Sequence, residues 1–383
     1  MLVSAAFQFD FLLYFLTFFC REHKMSSDKV EGTYIKRSSR WKLILTVLVA
    51  ALVFTIIAAL NVGYANISFS QILMVLGKQI PFLSGSINSA SISPTSEAII
   101  VQIRLPRVLA GALVGAGLAA AGVIYQGIFR NPMADSYLLG ASAGASVGYT
   151  VAVLYVSSAL TLIGMGIAQI FAFAFALLTV FLVLFMSRVG TKIPITTLLL
   201  SGVVVNIFLL AMETLMELHS GQALTGIVAW LAGGFSNIVW LQVWAVLPFV
   251  FIGIAITYFF TRDLNMLSMG DETAQHLGVN TERVRQFLVA IASMMTAAAV
   301  AISGVIGFVG LIIPHMTRLV IGPDHRILLP ASAIVGAMFL VICDSVARVA
   351  TGASELPVGV ITALVGTPFF IYLLRRRKTT YSL

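Results

Sequence analysis

The sequence predicts an all-α polytopic membrane protein of about ten transmembrane helices, and three observations carry that prediction. Only 10% of the 383 residues are charged and 59% are hydrophobic, whereas soluble domains carry about 25% charged residues. Mean hydropathy is +1.01. Apolar segments of about 20 residues, enough to cross about 30 Å of hydrocarbon, recur about ten times after Met25. Beyond the first hundred residues there is one long polar interruption, Arg262 to Gln286, which carries Arg262, Asp263, Asp271, Glu272, Glu282, Arg283 and Arg285. The net charge of +8 would suggest nucleic acid or an acidic partner in a soluble protein. Here membrane topology explains it, and no nucleic-acid partner is expected.

Met1 to Cys20 is apolar but lacks a basic leader and contains Asp10, which argues against a signal peptide. Met25 opens a polar stretch suited to a cytosolic N-terminus, so Met1–Lys24 reads as a misassigned start or an appended anchor. The predicted spans lie near residues 42–62, 107–128, 137–157, 163–187, 195–217, 239–261, 287–306, 308–321, 329–349 and 357–374. The eighth is short and holds Pro314, so it is not expected to span as a regular helix. This divides the chain into an N-terminal extension and cytosolic segment (1–40), a membrane domain (41–374) containing the polar loop 262–286, and a basic tail (375–383).

With the N-terminus inside, only Lys78, Arg104, Arg107 and Arg348 of the 20 Lys and Arg from Lys36 onward fall outside; the other 16 fall inside. That asymmetry obeys the positive-inside rule and places both termini in the cytosol. The external segment from Gly63 to Gln102 reads as a loop, flexible in its Ser-rich run Ser84 to Glu97. The second and third spans are rich in small residues, Gly111, Gly115, Gly117 and Gly122 in one and Gly140, Gly144 and Gly148 in the other. Such spacing lets helix backbones approach closely in lipid.

Each candidate motif has a plain reading beside its functional one. G-x-S-x-G occurs around Ser142 and Ser146, but no strand–turn–helix context accompanies it, so helix packing outweighs a serine nucleophile. The five histidines show no metal-ligand spacing, and no metal site is expected. Cys20 and Cys343 form no pattern. Walker A is absent, so any ATP and magnesium must be bound by another chain, and this chain is expected to bind no cofactor itself.

Arg104, Arg107 and Arg348, on the face that usually avoids cations, either snorkel at the interface, with Asp344 pairing to Arg348, or grip carboxylates of a partner. Glu213 and Glu217 lie one turn apart and mark a pathway or simply its water-filled mouth. Thr196 and Thr197 after Pro194 are a gate or an ordinary helix start, and Trp230 with Gly233 and Gly234 suggests a short interfacial helix.

Several stretches together resemble the permease subunits of ATP-binding-cassette importers for iron siderophores, haem and cobalamin, the FecCD or vitamin B12 permease family. They are RLPR from Arg104, GLAAAGVIYQGIFRNPMAD from Gly117 and LLGASAGA from Leu138, then LNMLSMGDETAQHLGV from Leu264, GVIGFVGLIIPHMTR from Gly304 and ELPVGVITALVGTPFFIYLL from Glu355. The resemblance implies a type II ABC importer permease fold in the cell membrane. It also implies a second permease subunit (a copy or a paralogue), two cytosolic ATPases and an external binding protein whose glutamates engage Arg104, Arg107 and Arg348.

Leu264 to Val279 would form coupling helices that enter the ATPase, with Gly270 and Gly278 as turns and Met266, Leu267, Met269 and Leu277 as apolar contacts beside Asp271 and Glu272. Arg283 and Arg285 read as topology anchors. Ser136 stands where the family often has Pro, which puts the local turn in doubt. An ion-coupled secondary transporter is the first alternative, and an intramembrane serine protease the second.

Overall fold

The computed structural model describes residues 30–63, 65, 67–79, 93–156, 161–162, 165–190, 192–351 and 355–378. The expectations for Met1–Lys24 and for most of the Ser-rich run lie outside them. The described chain is almost entirely helical. In order it forms α1 (Val30–Asn61), α2 (Phe69–Lys78), α3 (Pro94–Phe129), α4 (Ala141–Tyr155), a strand pair β1 (Thr161–Leu162) and β2 (Met165–Gly166), α5 (Ile167–Met186) and α6 (Ile195–Leu218). There follow α7 (Leu224–Leu231), α8 (Trp240–Phe259), α9 (Thr261–Ser268), α10 (Asp271–His276), α11 (Thr281–Ser303), α12 (Val309–Ile321), α13 (His325–Val349) and α14 (Val358–Lys378).

Each of the ten predicted spans has its helix. Among the described residues seven helices are long and apolar enough to cross a membrane; α4, α12 and the apolar part of α14, Val358–Ile371, are shorter. Two boundaries differ from the sequence reading. Helix α1 begins at Val30, inside the stretch read as a polar cytosolic segment. Helix α3 begins at Pro94 rather than near 107, and passes through a widened π-helical turn over Ile99–Arg104. Pro106 has no N–H to donate, so a wider turn ahead of it lets the helix continue where the sequence suggests a start. The segment read as one external loop therefore contains α2 and the first turns of α3, joined by the Lys78–Glu97 ion pair at 2.8 Å.

Helices α3, α11 and α13 form the centre. The span window of α13 is 89% buried, whereas that of α6 is 22% buried and offers its sides to lipid or to another chain. The centre is tight because small residues remove the side chains that would hold it apart. A methyl on Gly115 of α3 would collide with the carbonyl oxygen of Gly336 on α13, and one on Gly122 with that of Gly310 on α12. Gly144 and Gly148 likewise press α4 onto Phe171, Phe175 and Thr179 of α5. Gly140 meets Thr179 as well, from φ +82° as the residue before α4.

Helix α12 is the short eighth apolar segment, and it runs through Pro314. The chain leaves α11 at Gly304 and runs without helical bonds to Phe308, which adopts a left-handed φ of 71°. Tyr137 braces this break: its hydroxyl donates to Ile306 O at 2.8 Å and accepts from Ile306 N at 3.1 Å. The predicted short interfacial helix is α7, which ends before Gly233, and Trp230 stacks on Tyr149 with ring centroids 4.0 Å apart.

Candidate functional site

Two polar clusters stand at opposite ends of α13, a helix about 37 Å long at 1.5 Å of rise per residue. At the far end Arg107 of α3 is held by two carboxylates. Its Nε and Nη2 donate to Asp344 at 2.8 to 3.2 Å, and its Nη1 donates to both oxygens of Glu355 at 2.9 Å. Arg348, one turn beyond Asp344, pairs with the same carboxylate at 3.2 Å and donates to Val62 O and Ser345 Oγ. Arg104 donates to the carbonyls of Leu60 and Ala65, both at 2.7 Å.

The three arginines are 4 to 7% exposed and Asp344 is 1% exposed. The carboxylates that Arg107 and Arg348 were expected to seek on a partner are therefore supplied first by the chain itself, and Arg104 is held by backbone carbonyls. A charge can be buried here only because each fork of N–H donors finds an oxygen. Glu355 also accepts from Ser236 Oγ at 2.8 Å. Burial alone would raise the Glu355 pKa, but the hydrogen bonds and charge of Arg107 win and hold it below the usual carboxylate range.

The near end is the polar loop. Helices α9 and α10 fold over a small core of Leu267, Ala274 and Val279, with Met266 and Val284 half-buried against it. Leu267, at 1% exposure, is thus a correction to the sequence reading: it holds the loop together and presents no surface. Met269 and Leu277 are 67% and 57% exposed, and Glu272 is exposed beside them. Gly270 and Gly278 turn the chain at φ +116° and +88°, values that strongly favour glycine.

Asp271 is drawn back toward the bundle by Arg285, at 2.8 and 3.0 Å, with Arg130 at 3.7 Å. Arg285 is 5% exposed, so it positions the loop and is more than a topology anchor; Arg283 remains exposed. Glu282 accepts from Ile193 N at 2.9 Å, which ties the α5–α6 connection to the base of α11.

The remaining expected residues are spread between these clusters. Glu213 on α6 is 5% exposed and accepts from Thr150 of α4 at 3.3 Å, while Glu217 is half-buried one turn on. Thr196 is exposed and Thr197 half-buried in the first turn of α6, after Pro194 as its cap. Ser142 and Ser146 lie within helix α4 and not on a strand-to-helix elbow. No group of three or more His, Cys, Asp or Glu that would hold a metal occurs among the described residues.

Two features escaped the sequence reading. Asp135 is half-buried near the start of α12, where its loss of solvent pushes its carboxyl up against the opposing hydrogen bonds from Ser136. Ser136 N donates to it at 2.6 Å, a bond that a proline there would not make. The second is the Asn265, Asp324 and His325 contact between α9 and α13, in which Asp324 also caps α13.

A model of the FecCD transport family matches residues 51–376. The cobalamin import system permease protein BtuC of Halobacterium salinarum is 47% identical over 284 residues, 74% of this chain and 75% of the relative. The vitamin B12 import system permease protein BtuC of Escherichia coli is 41% identical over 283 residues, 74% and 85% of the two chains. An uncharacterized ABC transporter permease protein of Bacillus subtilis, YvrB, is 42% identical over 327 residues, 85% and 91%. Among solved structures, a metal-chelate type ABC transporter in an inward-facing conformation superposes with a TM-score of 0.73 at 31% identity, covering 88% of this chain and 99% of that one.

Proposed function

Because the chain belongs to the FecCD transport family, as a multi-pass permease subunit of an ATP-binding-cassette importer, we propose that it carries cobalamin from an external binding protein to the cytosol. Iron(III)-siderophore and haem are the other family substrates. The observation that carries cobalamin ahead of them is the 47% identity to a cobalamin import permease.

The subunit works beside a second permease, a copy or a paralogue, in the cell membrane, with both termini in the cytosol. Two separate ATPases bind the ATP and magnesium and seat the loop from Leu264 to Val279. Met269, Leu277 and Glu272 supply the outward contacts, while Met266, Leu267, Gly270, Asp271 and Gly278 set the shape. ATP binding closes the ATPases, the loops move with them, and the packed bundle passes between inward and outward access, because tightly packed interfaces have discrete arrangements. Glu213, Glu217, Thr196 and Thr197 lie on α6, the most exposed long helix, and are assigned to the pathway wall.

At the outer face, Arg104, Arg107 and Arg348 receive carboxylates of the binding protein. An incoming glutamate would have to compete with Asp344 and Glu355 for Arg107, so docking exchanges ion pairs and does not simply add them. The test is uptake of labelled cyanocobalamin by cells lacking their own cobalamin permease and supplied with this chain, its ATPase and its binding protein. ATP-dependent uptake is expected. Uptake of a ferric siderophore or haem, with none of cobalamin, overturns the substrate.

A further inference from the structure

One amide keys the loop to the central helix. Asn265 Nδ2 donates to Asp324 Oδ1 at 2.9 Å, and Asn265 Oδ1 accepts from His325 N at 2.9 Å and lies 2.7 Å from His325 Nδ1. A carboxylate only accepts and a backbone N–H only donates, so a single orientation of the amide satisfies both. Its oxygen faces the ring, and His325 Nδ1 must therefore carry a proton. The ring is 2% exposed, and its Nε2 is buried beside Gly127 of α3 and Leu264 of α9 with no hydrogen-bond partner. A buried unpartnered nitrogen is destabilising, so packing alone would favour an apolar side chain here.

What the histidine gains is a grip on the loop. Its neighbour Asp324 accepts from Asn265 and from Arg326 N at 3.1 Å, so the same carboxylate caps α13 and holds α9. The other end of α13 carries Asp344, which holds both Arg107 of α3 and Arg348 of its own helix. Between the ends the helix is packed backbone to backbone on α3 at Gly115 and Gly336. That contact resists bending at Gly336, and although Pro330 lies between it and His325, the helix is continuous from one end to the other and offers a packed path between them.

We propose that Asn265 and His325 are positioning residues that convert movement of the loop into movement of α13, and so of the ion cluster at its far end. The inference rests on the ATPase-driven reading above. Contiguous packed elements of this kind typically carry coupling that single substitutions change severalfold.

The test uses the complete transporter, permease with its ATPase and binding protein, in lipid vesicles, with cyanocobalamin uptake and ATP hydrolysis measured on one preparation. Asn265→Leu and His325→Leu keep the volume and remove the hydrogen bonds. His325→Asn keeps an N–H donor near the position of Nδ1. The expected result is a fall of about tenfold in uptake per ATP for both leucine variants. Basal hydrolysis should change by less than about twofold in His325→Leu, which lies outside the loop seated on the ATPases, and His325→Asn should recover most of the loss.

Wild-type uptake per ATP in the leucine variants overturns the proposal, as does a His325→Asn protein as poor as His325→Leu, which would reduce the site to packing. If the leucine variants do not assemble, Asn265→Asp, of equal size but repelled by Asp324, must show the same loss, and wild-type coupling there also overturns it. A wild-type complex that hydrolyses ATP without moving cyanocobalamin fails the substrate reading alone. The inference is then read from whether the binding protein still stimulates hydrolysis in the wild type but not in the leucine variants; equal stimulation overturns it.

Discussion

The two ends of α13 hold similar numbers of charged residues and use them in opposite ways. At the Arg348 end, guanidinium and carboxylate groups are turned inward, and Arg107, Arg348 and Asp344 are each less than a tenth exposed. At the loop end the buried layer is small, Leu267, Ala274 and Val279, and apolar side chains such as Met269 and Leu277 stand in the open. The cluster around Asp344 is therefore closed by its own ion pairs, and under the proposed function a partner must break into it. The loop is a preformed surface that, on the same reading, a partner need only cover. Exposed apolar groups on a polar loop at a membrane face indicate a protein contact more directly than buried arginines do.

The largest expected effect breaks that cluster. Asp344→Ala leaves Arg107 and Arg348 without the carboxylate they share, and removing one partner of a buried pair typically costs about 3–5 kcal/mol. Thermal unfolding of the purified protein in detergent checks this; a loss below about 1 kcal/mol would mean that Glu355 and the carbonyls suffice.

The loop should respond in another way. Replacing Met269 and Leu277 together by Ala should leave unfolding within about 0.5 kcal/mol of wild type, because exposed side chains contribute little to the fold. ATPase binding should nonetheless weaken by about 2–4 kcal/mol, the loss of two apolar contacts at an interface. Titration of the detergent-solubilised permease with its ATPase separates the two quantities.

Gly278→Leu is smaller in stability. No atom lies within 4 Å of an added Cβ, so the cost is that of the left-handed backbone alone, about 1–2 kcal/mol. Its mark should be ATP hydrolysis without matching transport.

The smallest effect is pH-dependent. The folded pKa of Glu355 is depressed, so its stabilisation is complete above the unfolded value and lost as pH falls through the folded value. Glu355→Gln should therefore be less stable than wild type at neutral pH. The gap should close below about pH 4, under the ordinary carboxylate range, and a constant gap in unfolding scans would assign the effect to packing.

Much of this architecture was legible in the sequence because a bilayer imposes one length on every span. The short eighth apolar segment foretold the short helix α12, although the helix runs through Pro314 and its break lies at Gly304–Phe308, and the glycines of α3 and α4 foretold their close packing. The start of α3 was hidden because Pro106 and the Ser-rich run imitate a loop and a helix beginning. The fate of the arginines could not be read, since the partners of Arg107 lie 237 and 248 residues away. Only the i, i+4 pair of Asp344 and Arg348 was within reach of spacing rules. In the loop, helices of eight and six residues are too short for a periodicity to separate Leu267, which faces in, from Met269, which faces out.

The most direct test of the contrast is a photo-crosslinking amino acid placed in turn at positions 267, 269 and 277, in the assembled transporter. Crosslinks to the ATPase from 269 and 277, with none from 267, are the predicted result. Crosslinking from 267 as strong as from 269, or no ATPase adduct from any of the three, would contradict it.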